Sequence, residues 1–337
     1  MIKHDSDQSN INYNEIRLKH DLFDIMKSMT KKIMITATVD SIEQAKALLA
    51  IGIDTLYIGE ETYGLRLPHA FTWDELRELT ELAHAAGAKV TVAVNAIMHP
   101  DKMATIKPYL DFLQEIEVDQ LTVGDTGVIF VLDRDGYKLP YIYDASTMVT
   151  SSRQVNFWGE QGAIGAVLSR ELPKEELIAL SDNLTVFGEI LVYGATIIHQ
   201  SKRPLLENYY NFIKTDEEKT RDRNLFLSEP KQEETHYSIY EDSHGTHIFA
   251  SDDVNLMTEL DELTALNYTH WKLDGIYTPG DNFVEIAELF VQAKNLIMSG
   301  QFTAAQGFAF DEAIRRLHPV ERTLGHGFYD LDPDEIQ

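Results

Sequence analysis

No cysteine occurs among the 337 residues, so disulfides and thiolate chemistry are both excluded. Long apolar runs are also missing, and without about 20 consecutive apolar residues no membrane-spanning helix is expected. The opening stretch "MIKHDSDQSN" lacks the apolar core of a secretory signal, which predicts a soluble, cytoplasmic protein of bacterial type. Positive charge is scarce: 29 Lys and Arg stand against 55 Asp and Glu, a formal net charge of -26. Such a surface repels phosphate backbones, so DNA binding is not expected and RNA would need a local basic patch. The familiar catalytic phrases are absent too: no G-x-S-x-G, H-E-x-x-H, G-x-x-x-x-G-K-[ST] or G-x-G-x-x-G is found.

What is present is a repeated phrase of amphipathic helix, polar or Gly stop, and short strand rich in Val, Ile or Leu. The clearest helix is "TWDELRELTELAHAAG", with Thr72 as N-cap, Glu75 as its capping-box partner and Gly87 as the stop. An earlier one starts at Ser41 and Gln44 and ends at Gly52. Strands are predicted at "IMITATV", "TLYIG", "KVTVAVN", "QLTVGD", "PYIYDAS", "AVLSRE", "ILVYG" and "HWKLDG". Eight strands alternating with helices predict an α/β fold, a (β/α)8 TIM-like barrel with strands apolar on both faces; a doubly wound open sheet is the alternative. Residues 1–30 read as a disordered tail, with Met1 and Met29 both possible starts. Residues 31–280 read as the barrel, with a long insertion at 195–268 before the last strand, and 281–337 as a C-terminal helix and acidic tail. Within the insertion, "EILVYGATIIHQSKRPLLENYY" reads as a strand running into a polar loop, and "THYSIY" and "THIFAS" as a hairpin.

In a barrel of this kind the polar residue just past each strand's C-terminal end faces the active mouth. That rule collects Thr38, Glu60, Arg66, Asn95, His99, Asp125, Ser146, Arg170, Glu171, His199, Lys272 and Asp274. Arg and Lys beside Asp and Glu suit an anionic small ligand, since a guanidinium matches a carboxylate in a planar fork. Each of these residues is equally open to a plain role as helix cap or ion pair. Asp242, His244 and His247 form an H-x-x-H cluster, which the turn "DSHG" explains without a metal. The densest basic stretch, with Lys202, Arg203, Lys214, Lys219, Arg221 and Arg223, is interleaved with acids and reads first as a solvated excursion.

The phrases "IGIDTLYIGEETYGLRL", "HAAGAKVTVAVNAIMH", "QLTVGDTGV", "FWGEQGAIGAVLSREL", "GTHIFASDDVNLM", "HWKLDGIYTPG" and "ERTLGHGFY", in this order and spacing, resemble peptidase family U32, the collagenase-like peptidases. The resemblance implies a (β/α)8-like barrel and two competing activities: peptide hydrolysis, or oxygen-independent hydroxylation of RNA bases or quinone precursors. One branch makes 5-hydroxyuridine at the tRNA wobble position with prephenate as oxygen source. Members of that kind carry four cysteines around an iron–sulfur cluster, and the corresponding positions here are Ile197, Pro204, Leu227 and Lys231. The chain resembles the short cysteine-free member that accompanies a cysteine-bearing paralogue, which makes that paralogue and tRNA the expected partners and prephenate the expected co-substrate. The resemblance implies Arg66, Asn95, Asp125, Arg170, Glu171, Lys272 and Asp274 as the catalytic set. Glu60, His99, Ser146, His199, Lys202, Arg203, Ser251 and Asp253 are expected around the substrate, with no resident cofactor or metal. Were the chain a peptidase, Ser146 or Ser201 with His199, or Asp125 with Glu171, would have to carry hydrolysis. An inactive scaffold is the third reading.

Overall fold

The computed structural model describes residues 32–144, 148–215 and 220–333, with side chains omitted at 232–234. Eight parallel strands close on themselves: β1 (Met34–Thr38), β2 (Thr55–Ile58), β3 (Lys89–Val94), β4 (Gln120–Val123), β5 (Tyr141–Tyr143), β6 (Ala163–Val167), β7 (Phe187–Ser201) and β11 (His270–Leu273). Each of β1 to β7 pairs with the next, and β11 pairs with both β7 and β1, which makes the sheet a barrel and sets aside the open-sheet alternative. Helices α1 (Ile42–Ala50), α2 (Trp73–Ala85), α3 (Pro100–Glu115), α4 (Thr126–Arg134), α5 (Ser152–Glu160) and α6 (Lys174–Ser181) join successive strands.

The helix starts follow the sequence chemistry. Thr72 Oγ1 accepts from Glu75 N while Glu75 Oε2 accepts from Thr72 N, a complete capping box on α2. Ser41 caps α1 through Gln44 N.

The expectation that both strand faces are apolar is corrected. Outward residues such as Ile35, Leu56, Val92, Leu121, Val192 and Trp271 pack with the helices in the main core. The inward positions, two residues apart along each strand, include Thr36, Tyr57, Thr91, Asn95, Thr122, Glu189 and Lys272, all buried. A packed apolar barrel centre would need none of these; a polar one is a site in waiting. At its floor, the rings of Phe187 and His270 stack with centroids 3.7 Å apart, and burial pushes His270 down to about 4 and keeps it neutral.

Two further sequence readings change. Strand six ends at Val167, so Ser169, Arg170 and Glu171 lie in the loop beyond it. The polar loop expected after Gly194 is instead a continuation of β7: residues up to Ser201 pair antiparallel with β10 (Gly245–Asn255). The strand leaves the barrel at Gly194, whose φ of +122° suits glycine and where a Cβ would lie 2.3 Å from the Asp274 carbonyl oxygen. The segment holds α7 (Leu205–Ile213), β8 (Phe226–Glu229) and the hairpin of β9 (Gln232–Asp242) with β10, followed by α8 (Leu260–Ala265). After β11 come α9 (Asp281–Met298) and a second helix that the sequence reading missed, α10 (Ala304–Leu317), opened by a Thr303/Gln306 capping box. β12 (Thr323–Gly325) then pairs with β10.

Candidate functional site

The C-terminal ends of the barrel strands enclose a cavity lined by Tyr57, Arg66, Asn95, Thr122, Asp144, Arg170, Glu189, Lys272 and Asp274, under Leu65, Leu191 and Ile197. Five residues picked from the sequence, Arg66, Asn95, Arg170, Lys272 and Asp274, come together there. Asn95 and Asp274 directly follow β3 and β11, Lys272 lies within β11, and Arg66 and Arg170 come from the loops after β2 and β6.

Asn95 organises one wall. Its Oδ1 accepts from Leu65 N at 2.9 Å, which leaves Nδ2 to donate to Asp144 Oδ2 at 2.8 Å and to the Tyr57 hydroxyl at 3.4 Å. Arg66 adopts a φ of 55°, an uncommon conformation for a side-chain-bearing residue, and its Nη1 donates to Gln200 Oε1 at 2.6 Å, joining the loop after β2 to the extension of β7. Arg170 Nη1 donates to the Ala195 carbonyl at 2.5 Å, with Nη2 3.8 Å from Asp274 Oδ2. Asp274 Oδ1 accepts from Ile276 N at 3.1 Å, and Thr38 Oγ1 accepts from Gly275 N at 2.7 Å. Thr38 thus shapes the turn after β11 and does not line the cavity.

Below these lie two ionisable groups of opposite kind. Lys272 is 7% exposed, and its Nζ sits 2.8 Å from the centroid of the Tyr57 ring. Burial lowers its pKa to about 8, although Glu189, Asp274 and Asp144 act to raise it. Burial in turn raises the Glu189 carboxyl, against the pull of Lys272. The Tyr57 phenol is pushed far up by burial and by Asp144 and Glu189, so it keeps its proton. The cavity therefore opposes three cations, Arg66, Arg170 and Lys272, to three acids, Asp144, Glu189 and Asp274.

Tyr57, Asp144 and Glu189 were not picked from the sequence. Their signal was the two-residue alternation: Tyr57 sits inside "TLYIG", and Glu189 inside "FGEILVYG", a lone acid in an apolar run.

The remaining sequence candidates lie elsewhere. Asp125 caps α4 by accepting from Gly127 N, and Glu171 is exposed, so these two acids do not meet over a substrate. Glu60 Oε1 accepts from Tyr63 N in a turn, and exposed His99 precedes α3. His199 is exposed on β7, opposite Ile248. Exposed Lys202 donates to the Ser243 carbonyl, and Arg203 is exposed beside it. Ser251 is half-buried on β10. Asp253, expected near substrate, is buried in a bidentate pair with Arg322, at 2.5 and 3.0 Å, which ties β10 to the C-terminal segment. Ser146 and Lys219 lie outside the described residues.

A second, wider cleft opens beside the cavity and shares Arg66 with it. Arg221, Arg223, His69, Tyr240 and His244 line it, with Glu61, Glu241 and Asp242. Arg223 donates to the Leu67 carbonyl at 2.7 Å and lies over the Tyr240 ring. The H-x-x-H histidines diverge: His247 Nε2 pairs with Asp242 Oδ1 at 2.9 Å, while His244 Nε2 donates to the Glu61 carbonyl at 2.6 Å and its Nδ1 accepts from Lys102 Nζ at 3.0 Å. Among the described residues no group of three or more His, Asp or Glu converges as a metal site.

The four positions at which the resemblance expects cluster cysteines carry no thiolate, which an iron–sulfur centre requires. Ile197 is packed with Ala195, Tyr240, Phe249 and Ile276, Pro204 precedes α7, Leu227 is exposed on β8 and Lys231 is an exposed turn residue.

Comparison with known proteins agrees with the sequence resemblance. The sequence pattern of peptidase family U32 matches residues 40–337. The tRNA hydroxylation protein P2 of Bacillus subtilis (strain 168) is 33% identical over 303 residues, spanning 89% of this chain and 98% of that protein. From the same bacterium, tRNA hydroxylation protein P1 is 29% identical over 182 residues, 54% of this chain and 43% of that one. The tRNA hydroxylation protein P of Escherichia coli (strain K12) is 24% identical over 279 residues, 70% of this chain and 62% of that protein. Among solved structures, the U32 peptidase Mk0906 superposes with a TM-score of 0.48 at 14% identity, covering 72% of this chain and 92% of that one. With a family match over most of its length and a relative this similar from end to end, the chain belongs to peptidase family U32.

Proposed function

We propose that this chain is a component of tRNA wobble-uridine 5-hydroxylation, using prephenate as co-substrate and working in the cytoplasm with a cysteine-bearing U32 paralogue. The observation that carries the reading is the similarity to tRNA hydroxylation protein P2 over 98% of that protein's length. The cavity adds chemical support. Prephenate is a dicarboxylate, and Arg66 and Arg170 bring guanidinium groups suited to carboxylates to the cavity. Because three cations meet three acids there, a dianion is accommodated best when Glu189 carries a proton, as its raised pKa favours.

A paralogue is needed because this chain has no thiolate to hold a cluster, and the occurrence of both P1 and P2 in one bacterium is consistent with a pair. With a net charge of -26, contact with tRNA has to be local, and the cleft edged by Arg221 and Arg223 beside the cavity is the suitable place. The test is nucleoside analysis of tRNA from a deletion strain. Loss of 5-hydroxyuridine derivatives, restored by the wild-type gene, is expected; unchanged tRNA in a strain with no second copy would refute the reading.

A further inference from the structure

Lys272 is the most unusual side chain in the cavity. Among the described residues its Nζ makes no hydrogen bond and no ion pair within 4.0 Å, and it lies against the face of Tyr57 in a cation–π contact. A buried ammonium has three protons to donate and is costly without acceptors. The Tyr57 face offsets part of that cost for the ammonium, and on losing a proton the amine presents a free lone pair to the cavity. The group lines the same cavity as Arg66, Arg170 and Glu189. A purely structural lysine would be expected to reach a carboxylate or a carbonyl, and three acids are close enough to act on it electrostatically without contact.

We propose that Lys272 forms a Schiff base with the ketone of an α-keto acid whose carboxylate is held by Arg66 and Arg170. This deepens the proposed function, on which it rests for the identity of the ligand: prephenate carries such a ketone. The Nζ lone pair attacks the ketone carbon and the C–O π pair moves onto oxygen, giving a carbinolamine. The nitrogen then loses a proton, the hydroxyl gains one and departs as water, and a C=N bond forms. One ketone and one amine become one imine and one water, with nothing oxidised or reduced. Glu189, which faces the same cavity and whose burial favours its protonated form, is the group that carries the proton. An imine there would draw electrons from the ligand's neighbouring carbon, as a cofactor's electron sink does elsewhere.

The experiment uses the purified full-length protein with pyruvate, and in parallel prephenate, in the presence of sodium cyanoborohydride, followed by peptide mass mapping. A reduced adduct on the Lys272 peptide is expected, absent from Lys272→Met and formed about a hundredfold more slowly by Glu189→Gln. The mapped site in the wild-type protein decides the matter even if a variant fails to fold. An adduct absent from Lys272 while calorimetry shows prephenate bound, or one spread equally over surface lysines, would overturn the proposal. Nucleoside analysis of tRNA separates the two readings: normal dependence of 5-hydroxyuridine on this gene without an adduct removes the covalent step alone, whereas an adduct with gene-independent tRNA modification removes the tRNA assignment alone.

Discussion

Lys272 Nζ lies 2.8 Å from the centre of the Tyr57 ring and, among the described residues, makes no ion pair with a carboxylate, although Glu189, Asp144 and Asp274 share its cavity. The barrel has buried a lysine at its centre and set an aromatic face, not a carboxylate, against its ammonium.

The reactivity of this lysine carries a pH signature. The neutral amine is the nucleophile, and burial brings its pKa down to about 8, with Arg170 pressing the same way and Glu189, Asp274 and Asp144 resisting. Acylation of Lys272, followed by mass mapping, is expected to quicken as pH rises and to level off above about 8. Ordinary surface lysines, with pKa values of about 10.4, keep accelerating past that point. A Lys272 profile indistinguishable from theirs would count against a buried, desolvated amine.

Removing the two buried ionisable groups should separate stability from function. The folded-state pKa of Lys272 lies below its unfolded value, so the unfolded chain binds more protons between them; the cost is largest below pH 8 and fades as pH rises towards 10. Lys272 and Glu189 are buried in one cavity without a mutual ion pair, and replacing buried ionisable groups with apolar ones removes their desolvation cost. The double variant Lys272→Met/Glu189→Leu is therefore expected to resist urea as well as or better than the wild type at neutral pH while losing activity. Marked destabilisation would mean that the two groups are structural.

The guanidiniums can be weighed separately. Hydrogen bonds to charged groups contribute about 1.5–3 kcal/mol each, so Arg66→Ala or Arg170→Ala should weaken prephenate binding about 10- to 150-fold by calorimetry. Arg66 also fixes Gln200 and Arg170 the Ala195 carbonyl, so proteolysis of the β7 extension in the unliganded variants reports whether the roof has loosened as well. Affinity within twofold of wild type in both variants would place the carboxylates elsewhere.

Asp253 gives a contrasting case. Its bidentate pair with Arg322 is buried on both sides, and removing one partner of such a pair costs about 3–5 kcal/mol. Arg322→Ala should lower the urea midpoint by a corresponding amount and release the segment carrying β12 from β10, seen as faster amide exchange there. Loss of ligand affinity without loss of stability would instead support a direct role for Asp253 at the substrate.

Much of this fold was legible in the sequence because barrel strands and their helices announce themselves locally, through capping residues such as Thr72 and Glu75 and through Val- and Ile-rich runs. The rule that polar residues past strand ends face the mouth found Asn95, Arg170 and Asp274. It missed Glu189 and Tyr57, which sit within strands, because the inner face of this barrel is polar where an apolar one was expected. It also drew in Asp125, and the resemblance added Asp253, whose partners are a helix N-terminus and a distant arginine: a polar side chain looks the same in sequence whether it meets solvent, backbone or ligand. The run "GATIIHQS" alternates as a strand should, yet the Lys, Arg and Pro that follow it suggested a loop; only pairing with β10, more than 40 residues away, settles its conformation.

The central claim is tested most directly by complementation in a deletion strain, with 5-hydroxyuridine derivatives of total tRNA measured by liquid chromatography and mass spectrometry. The wild-type gene is expected to restore them, and folded, stably expressed Lys272→Met and Arg170→Ala proteins are not. Full restoration by both variants, or tRNA unchanged by the deletion itself, would contradict it.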